Sequence, residues 1–181
     1  MNSSLRDFIY HYHNGSSTYA WEFMGCHPEQ RDGVDGFAFR VWAPNARHVA
    51  VVGDFNFWNG EDLPMQKISQ GIWEAWSPHA KVGQAYKYLV TSAHGEVVHK
   101  ADPYAFRTQL GPQTSSVIWL QDQYHWGDKA WFSKAAKQQL LRAPINIYEF
   151  HMGSWRRKDD GTLYTYAEIA PQLVAYVKEM G

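Results

Sequence analysis

Three short groupings in the 181-residue sequence combine residue types capable of chemistry. Asp54-x-Asn56 followed by Gly60 has the opening of a calcium loop. Trp58 stands where a third oxygen ligand belongs, however, and no glutamate closes the loop, so calcium is not expected. His11-x-His13 offers two imidazoles, yet helical residues two apart point away from one another, which argues against a shared metal. Glu149-x-His151 pairs a carboxylate with an imidazole, the combination that general acid–base work requires near a strand end. The single cysteine, Cys26, has no internal disulfide partner and no zinc-type spacing, which fits a reducing, cytoplasmic setting. Neither a metal nor a cofactor is expected.

The broader signal is aromatic: Phe, Trp and Tyr make up 16% of the residues, nine of them tryptophans. Such rings fill cores, and they also serve as platforms for the apolar faces of sugars. Trp42, Trp73 and Trp76 fall in strand patterns, where a large aromatic belongs to packing. With 45% hydrophobic and 19% charged residues, the composition is that of a globular chain. The net charge is −1 and the basic residues are scattered except for Arg156-Arg157-Lys158, so nucleic acid is not an expected partner. No stretch approaches the apolar length of a membrane span, and the start has no basic-then-apolar signal segment; neither secretion nor a membrane is expected.

Positioning functional groups takes regular elements, and the periodicity changes along the chain. Residues 4–13 and 18–24 are predicted as short helices, separated by Asn14-Gly15 and ended by Gly25. From Gly36, Phe37, Phe39 and Val41 alternate with Ala38, Arg40 and Trp42, as in a half-buried strand. Further strands are expected over 48–54, 65–68, 72–76, 85–91, 97–100 and 116–119, with turns between them. That series predicts a β-sandwich. Residues 131–141 look helical. After Pro144, INIYEFHMGSW suits a buried strand. Thr165-x-x-Glu168 is a capping box, and Ile169, Leu173, Val177 and Met180 share one helical face, with Pro171 expected to kink or delay that helix. Strand, loop and amphipathic helix in this order make a first βα unit of a parallel α/β fold. As no further strands follow before Gly181, Ile145, Ile147, Ile169, Leu173 and Val177 are expected to lack most partners.

Two segments resemble known families. FRVWAPNARHVAVVGDFNFWNG at 39–60 resembles the opening strands of carbohydrate-binding module family 48, and the resemblance extends through GIWEAW, AYKY and KADPYAF. IYEFHMGSWRR at 147–157 is similar to the first barrel strand of branching enzymes in glycoside hydrolase family 13. Debranching and trehalose-forming relatives share a Tyr-Glu-x-His strand but usually depart from Gly153-Ser154-Trp155. The implied fold class is mainly β. An immunoglobulin-like β-sandwich spans 36–121, after an amino-terminal helical appendage over 1–35. A connector over 122–143 leads to the first βα unit of a truncated TIM barrel over 144–181.

The resemblance implies an N-terminal part of a 1,4-α-glucan branching enzyme of glycogen biosynthesis. That family cleaves an α-1,4-glucan, holds it as an ester on an aspartate and transfers it to a sugar 6-hydroxyl, the two-carboxylate work of a retaining enzyme. Its motifs of the Asp-x-x-x-Asn-His and Gly-x-Arg-x-Asp type do not occur here, so no catalytic residue is carried over and the chain alone is expected to be inactive. On the resemblance, Glu149 and His151 are structural. Trp58 matches a tryptophan that stacks on a glucose ring. Lys87 matches a lysine reaching hydroxyls, and Leu110, in TQLG, a leucine that threads a helical glucan. Competing duties are packing on the barrel domain for Trp58 and a solvated strand charge for Lys87. The hairpin His94-Gly95-Glu96 lacks the second tryptophan platform of glycogen-binding relatives. One ring face contributes about 1–3 kcal/mol by area, whereas millimolar binding needs about 4 kcal/mol; Trp58 alone is expected to bind weakly. The expected partner is an α-glucan. A stand-alone glycogen-binding or targeting module and an immunoglobulin-like module that binds protein are the other readings.

Overall fold

A computed structural model describes residues 3–121, 124–137 and 144–181. The chain divides into two compact units, one through His125 and one from Trp126.

The first unit is mainly β and antiparallel. Among the described residues a helix, α1 (Ser3–His13), precedes nine strands: β1 (Gly25–Arg31), β2 (Val34–Trp42), β3 (Ala46–Gly53), β4 (Gln66–Lys67), β5 (Ile72–Ser77), β6 (Ala85–Ser92), β7 (Val97–Lys100), β8 (Arg107–Thr108) and β9 (Ser116–Val117). They form two sheets, one ordered β1-β2-β5-β4 and one ordered β3-β6-β9-β8 with β7 also paired to β6. Alternation explains why the sheets face each other. Phe39, Val41, Trp73 and Ala75 point inward from the first sheet and meet Val49, Val51, Tyr86 and Tyr88 from the second. This is the layered arrangement that the strand pattern predicts.

Two expectations are corrected here. The helix over 18–24 is only a 3-10 turn at Ala20–Glu22, because the chain enters the sheet at Gly25 and Met24 is already fully buried. The first sheet therefore starts ahead of Gly36. β1 escaped notice because Glu29, Arg31 and Pro28 break the usual strand composition. Its charges are not solvated singly. Arg40 bonds Glu29 and, through Nε, Glu74 at 2.6 Å, while Arg31 holds Glu29 at 2.7 Å and Glu74 at 2.8 Å. The Phe23 ring lies 4.2 Å from the Arg40 guanidinium and 4.1 Å from the ring of Phe8 on α1, so Phe23 links the helix to this ion network.

Inside the sandwich, Asp102 is 5% exposed. One of its carboxylate oxygens accepts the Tyr86 hydroxyl at 2.6 Å and the Tyr88 hydroxyl at 3.1 Å, and the other accepts the Tyr104 N–H at 2.8 Å. Its own N–H donates to Ser116 Oγ at 2.8 Å, tying the KADPYAF segment to β6 and β9.

The second unit holds α2 (Lys129–Ala135), α3 (Met152–Trp155) and α4 (Tyr166–Met180). Residues 138–141 of the helix expected over 131–141, like the connector residues 122–123 and 138–143, lie outside the described residues. The capping box is present: Thr165 Oγ1 accepts the Glu168 N–H at 3.3 Å and a Glu168 carboxylate oxygen accepts the Thr165 N–H at 2.7 Å. Lys158 sits on the same carboxylate, and these contacts, the Lys158 bond first, hold it down at about 2. Pro171 does not delay α4, which begins at Tyr166 and runs through it. Residues 144–151 pair with no strand among the described residues, unlike the buried strand expected there, and Ile145 and Ile147 are exposed. Apolar β-formers favour a sheet only where a neighbour supplies the hydrogen bonds. Ile169, by contrast, is buried.

Candidate functional site

The candidate residues Trp58, Lys87 and Leu110 lie on or beside the five-stranded sheet. On β6, Tyr86 and Tyr88 face the core, so Lys87 between them faces away from it. The chain leaving β3 folds over the same face. Ala50 bridges to Pro64, and Gly60 packs on the Leu89 side chain, where an added side-chain carbon would lie 2.5 Å from Leu89 Cδ2.

That loop carries Trp58. Gly53 stands opposite Tyr86 in the β3–β6 register, where an added Cβ would lie 2.6 Å from the Ala85 carbonyl. A single 3-10 turn, Asp54–Asn56, follows. Asn56 is its internal brace: Oδ1 accepts the Gly53 N–H at 2.8 Å, while Nδ2 donates to the Val51 and Asn59 carbonyls at 2.9 and 3.1 Å. Asp54 accepts the Ala85 N–H at 2.7 Å on one oxygen and the Trp58 indole N–H at 3.1 Å on the other. Both residues of the rejected calcium pattern thus serve to build the turn.

The tip itself is strained. Phe57 and Trp58 have φ of 51° and 61°, successive left-handed residues that are neither glycine nor asparagine. Each such residue costs on the order of 1–3 kcal/mol. Trp58 is 38% exposed, so part of its ring stays open while Asp54 fixes its edge.

Lys87 reaches across β6 to the loop between β8 and β9, donating from Nζ to Thr114 Oγ1 at 2.7 Å. That loop is closed by the Gln109 N–H on the Ser115 carbonyl at 2.9 Å, and its Leu110 is 88% exposed. Lys87 and the Leu110 loop are therefore linked directly, and the Trp58 turn overlies the same sheet face through Gly60. Sequence reasoning missed Thr114 as the partner of Lys87 and Asp54 as an indole anchor; for Asp54 and Asn56 the signal was the Asp/Asn-rich turn composition. Trp73 and Trp76 are packing residues, their indole N–H groups donating at 2.9 Å to the carbonyls of Ala43 and Glu29 respectively.

Asp54→Ala leaves the Ala85 N–H and the Trp58 indole without an acceptor. It should destabilise the first unit by about 1.5–3 kcal/mol, the range for bonds to a charged group, in urea unfolding. In the 1H–15N spectrum the Trp58 indole resonance should shift and exchange faster with solvent; an unmoved resonance would mean that Asp54 does not anchor the ring.

Residues 23–105 match the family described as carbohydrate-binding module 48 (isoamylase N-terminal domain). The 1,4-alpha-glucan branching enzyme GlgB of Francisella tularensis subsp. novicida is 44% identical over 176 residues, 96% of this chain and 27% of that protein. GlgB of Deinococcus radiodurans is 48% identical over 159 residues, 87% of this chain and 22% of that protein. The chain thus spans about a quarter of the length of these curated relatives. Among solved structures, a pullulanase from Bacillus acidopullulyticus is similar at 29% identity over 52% of this chain and 11% of its own, with a TM-score of 0.42. The chain carries a carbohydrate-binding module of family 48 over residues 23–105 and is homologous to the amino-terminal region of 1,4-alpha-glucan branching enzymes.

Proposed function

We propose that the sandwich binds an α-glucan on the outer face of its five-stranded sheet, with Trp58 stacking on a glucosyl ring, Lys87 donating to hydroxyls and Leu110 inserting along the chain. The observation that carries this reading is the Lys87–Thr114 bond, which ties a charged donor to the loop of an 88% exposed leucine on the face that the Trp58 turn overlies. A neutral polyol suits such a face, since apolar carbons can cover the rings while single donors and acceptors meet its hydroxyls.

The module's place is in a glycogen-branching protein that cuts α-1,4 linkages and makes α-1,6 branches by a retaining mechanism, its catalytic carboxylates lying in motifs that these residues do not contain. In that longer protein residues 144–181 would supply the first βα unit of a (β/α)8 catalytic domain, 144–151 becoming a strand only beside further barrel strands, with 122–143 a connector and α1 part of an amino-terminal appendage. The sandwich would pack on that catalytic domain as well as bind glucan.

The chain should be retarded in native gels containing glycogen and should bind maltoheptaose in the millimolar range. Trp58→Ala should weaken binding about tenfold, the loss of roughly 1.4 kcal/mol of ring burial. Equal mobility with and without glycogen would overturn the assignment.

A further inference from the structure

The tip of the Trp58 turn carries a second ring that no part of the proposed site yet uses. Phe57 is 91% exposed, and it holds a left-handed backbone that glycine or asparagine would adopt at lower cost. Both choices run against folding alone: a large apolar ring left in water, at a position where a side chain of its kind is disfavoured. Such breaks in local consistency are expected where function rather than stability sets the residue.

Its surroundings narrow the function. The backbone on either side of Phe57 is fixed, by Asn56 on the carbonyls of Val51 and Asn59 and by the Trp58 N–H on the Gly53 carbonyl at 3.0 Å. The ring is therefore presented from a braced turn, next to Trp58. Its side chain has no hydrogen-bonding group, so a ligand covering it must present carbon and hydrogen, as the faces of a pyranose do.

We propose that Phe57 is a second aromatic platform for the α-glucan beside Trp58; this rests on the glucan-binding reading of Trp58. With rings on consecutive residues of one braced turn, a glucan chain that covers both buries more apolar surface than Trp58 alone offers, which strengthens a weak single-ring contact.

Phe57→Gly separates the role from folding, because it removes the ring and relieves the backbone. The variant should melt at or above the parent's Tm and bind maltoheptaose and glycogen at least fivefold more weakly, while Phe57→Tyr should stay within about twofold of the parent. Parent-like binding by Phe57→Gly, with Trp58→Ala still impaired, would overturn the second platform and leave the glucan reading standing. A lowered Tm in Phe57→Gly would also count against it, since the ring would then be a folding group. Failure of the parent to bind either glucan would remove both readings together.

Discussion

Asp102→Ala should destabilise the first unit by about 3 kcal/mol and lower its Tm by roughly 10 °C. The carboxylate collects three donors inside the sandwich, the hydroxyls of Tyr86 and Tyr88 and the N–H of Tyr104. The Tyr86 hydroxyl and the Tyr104 N–H lose their acceptor in the variant, while the Tyr88 hydroxyl keeps the Arg40 carbonyl at 3.3 Å; an unsatisfied buried donor costs on the order of 1–3 kcal/mol. Removing a buried charge offsets part of that sum. Burial is the main influence on this carboxyl and raises its pKa; the hydrogen bonds from Tyr86, the Tyr104 N–H and Tyr88 pull the other way without cancelling it. Burial likewise pushes both phenols up, with the Asp102 charge adding to it, so they remain donors.

The sign of the pH effect follows. A carboxyl whose folded-state pKa is raised contributes stability that is complete below the unfolded value, about 3.9, and is lost as pH rises through the folded value. Asp102→Asn, which cannot ionise, should therefore be less sensitive than the parent to pH in the mildly acidic range just above that value. Equal urea midpoints for parent and Asp102→Ala at neutral pH would show that the cluster contributes nothing. Because the Asp102 segment ties β6 to β9, the Lys87 and Leu110 positions should lose their geometry with it.

Arg40→Ala is the second large loss, about 3 kcal/mol. Breaking a buried ion pair by removing one partner costs roughly 3–5 kcal/mol, and the lower end applies because Glu29 and Arg31 are about a third exposed and screened by water. Arg40 is 7% exposed and serves two carboxylates at once, so its loss leaves Glu29 and Glu74 sharing only Arg31 and uncovers the Phe23 ring. Burial by itself would raise the Glu29 carboxyl, but the hydrogen bonds and charges of Arg40 and Arg31 outweigh it and hold the pKa low. Stability from such a lowered carboxyl is present above the unfolded value, near 4.3, and disappears as pH falls through the folded one. Parent and Arg40→Ala should therefore differ most at pH 7 and converge below pH 4 or so in urea titrations. Arg40→Met with Glu74→Met removes one charge of each sign and should recover most of the loss. A difference that persists undiminished in acid would point to packing on Phe23, and not the ion network, as the cause.

Strands whose side chains alternate cleanly are legible in the sequence. Phe39 and Val41 against Ala38 and Arg40, and Tyr86 and Tyr88 around Lys87, announce their two faces because a pleated strand has a period of two. The same holds for α4, where Thr165 and Glu168 mark the start in a local, four-residue signal. Trp58, Lys87 and Leu110 were legible as candidates because their motifs resemble a carbohydrate-binding family.

The remaining features depend on contacts between distant segments. β1 pairs with β2 along its whole length, and Arg40 on β2 and Glu74 on β5 neutralise the Glu29 and Arg31 charges that obscure it in the sequence. Thr114 joins the site through a bond spanning 27 residues, and Asp54 anchors Trp58 while capping the start of β6 from 31 residues away. Asp102 became a core residue through two tyrosines on a neighbouring strand. Periodicity and capping are local properties that a sequence displays directly. Charge pairing and hydrogen bonding across strands depend on which distant segments the fold brings within about 3 Å, and no short stretch of residues carries that information.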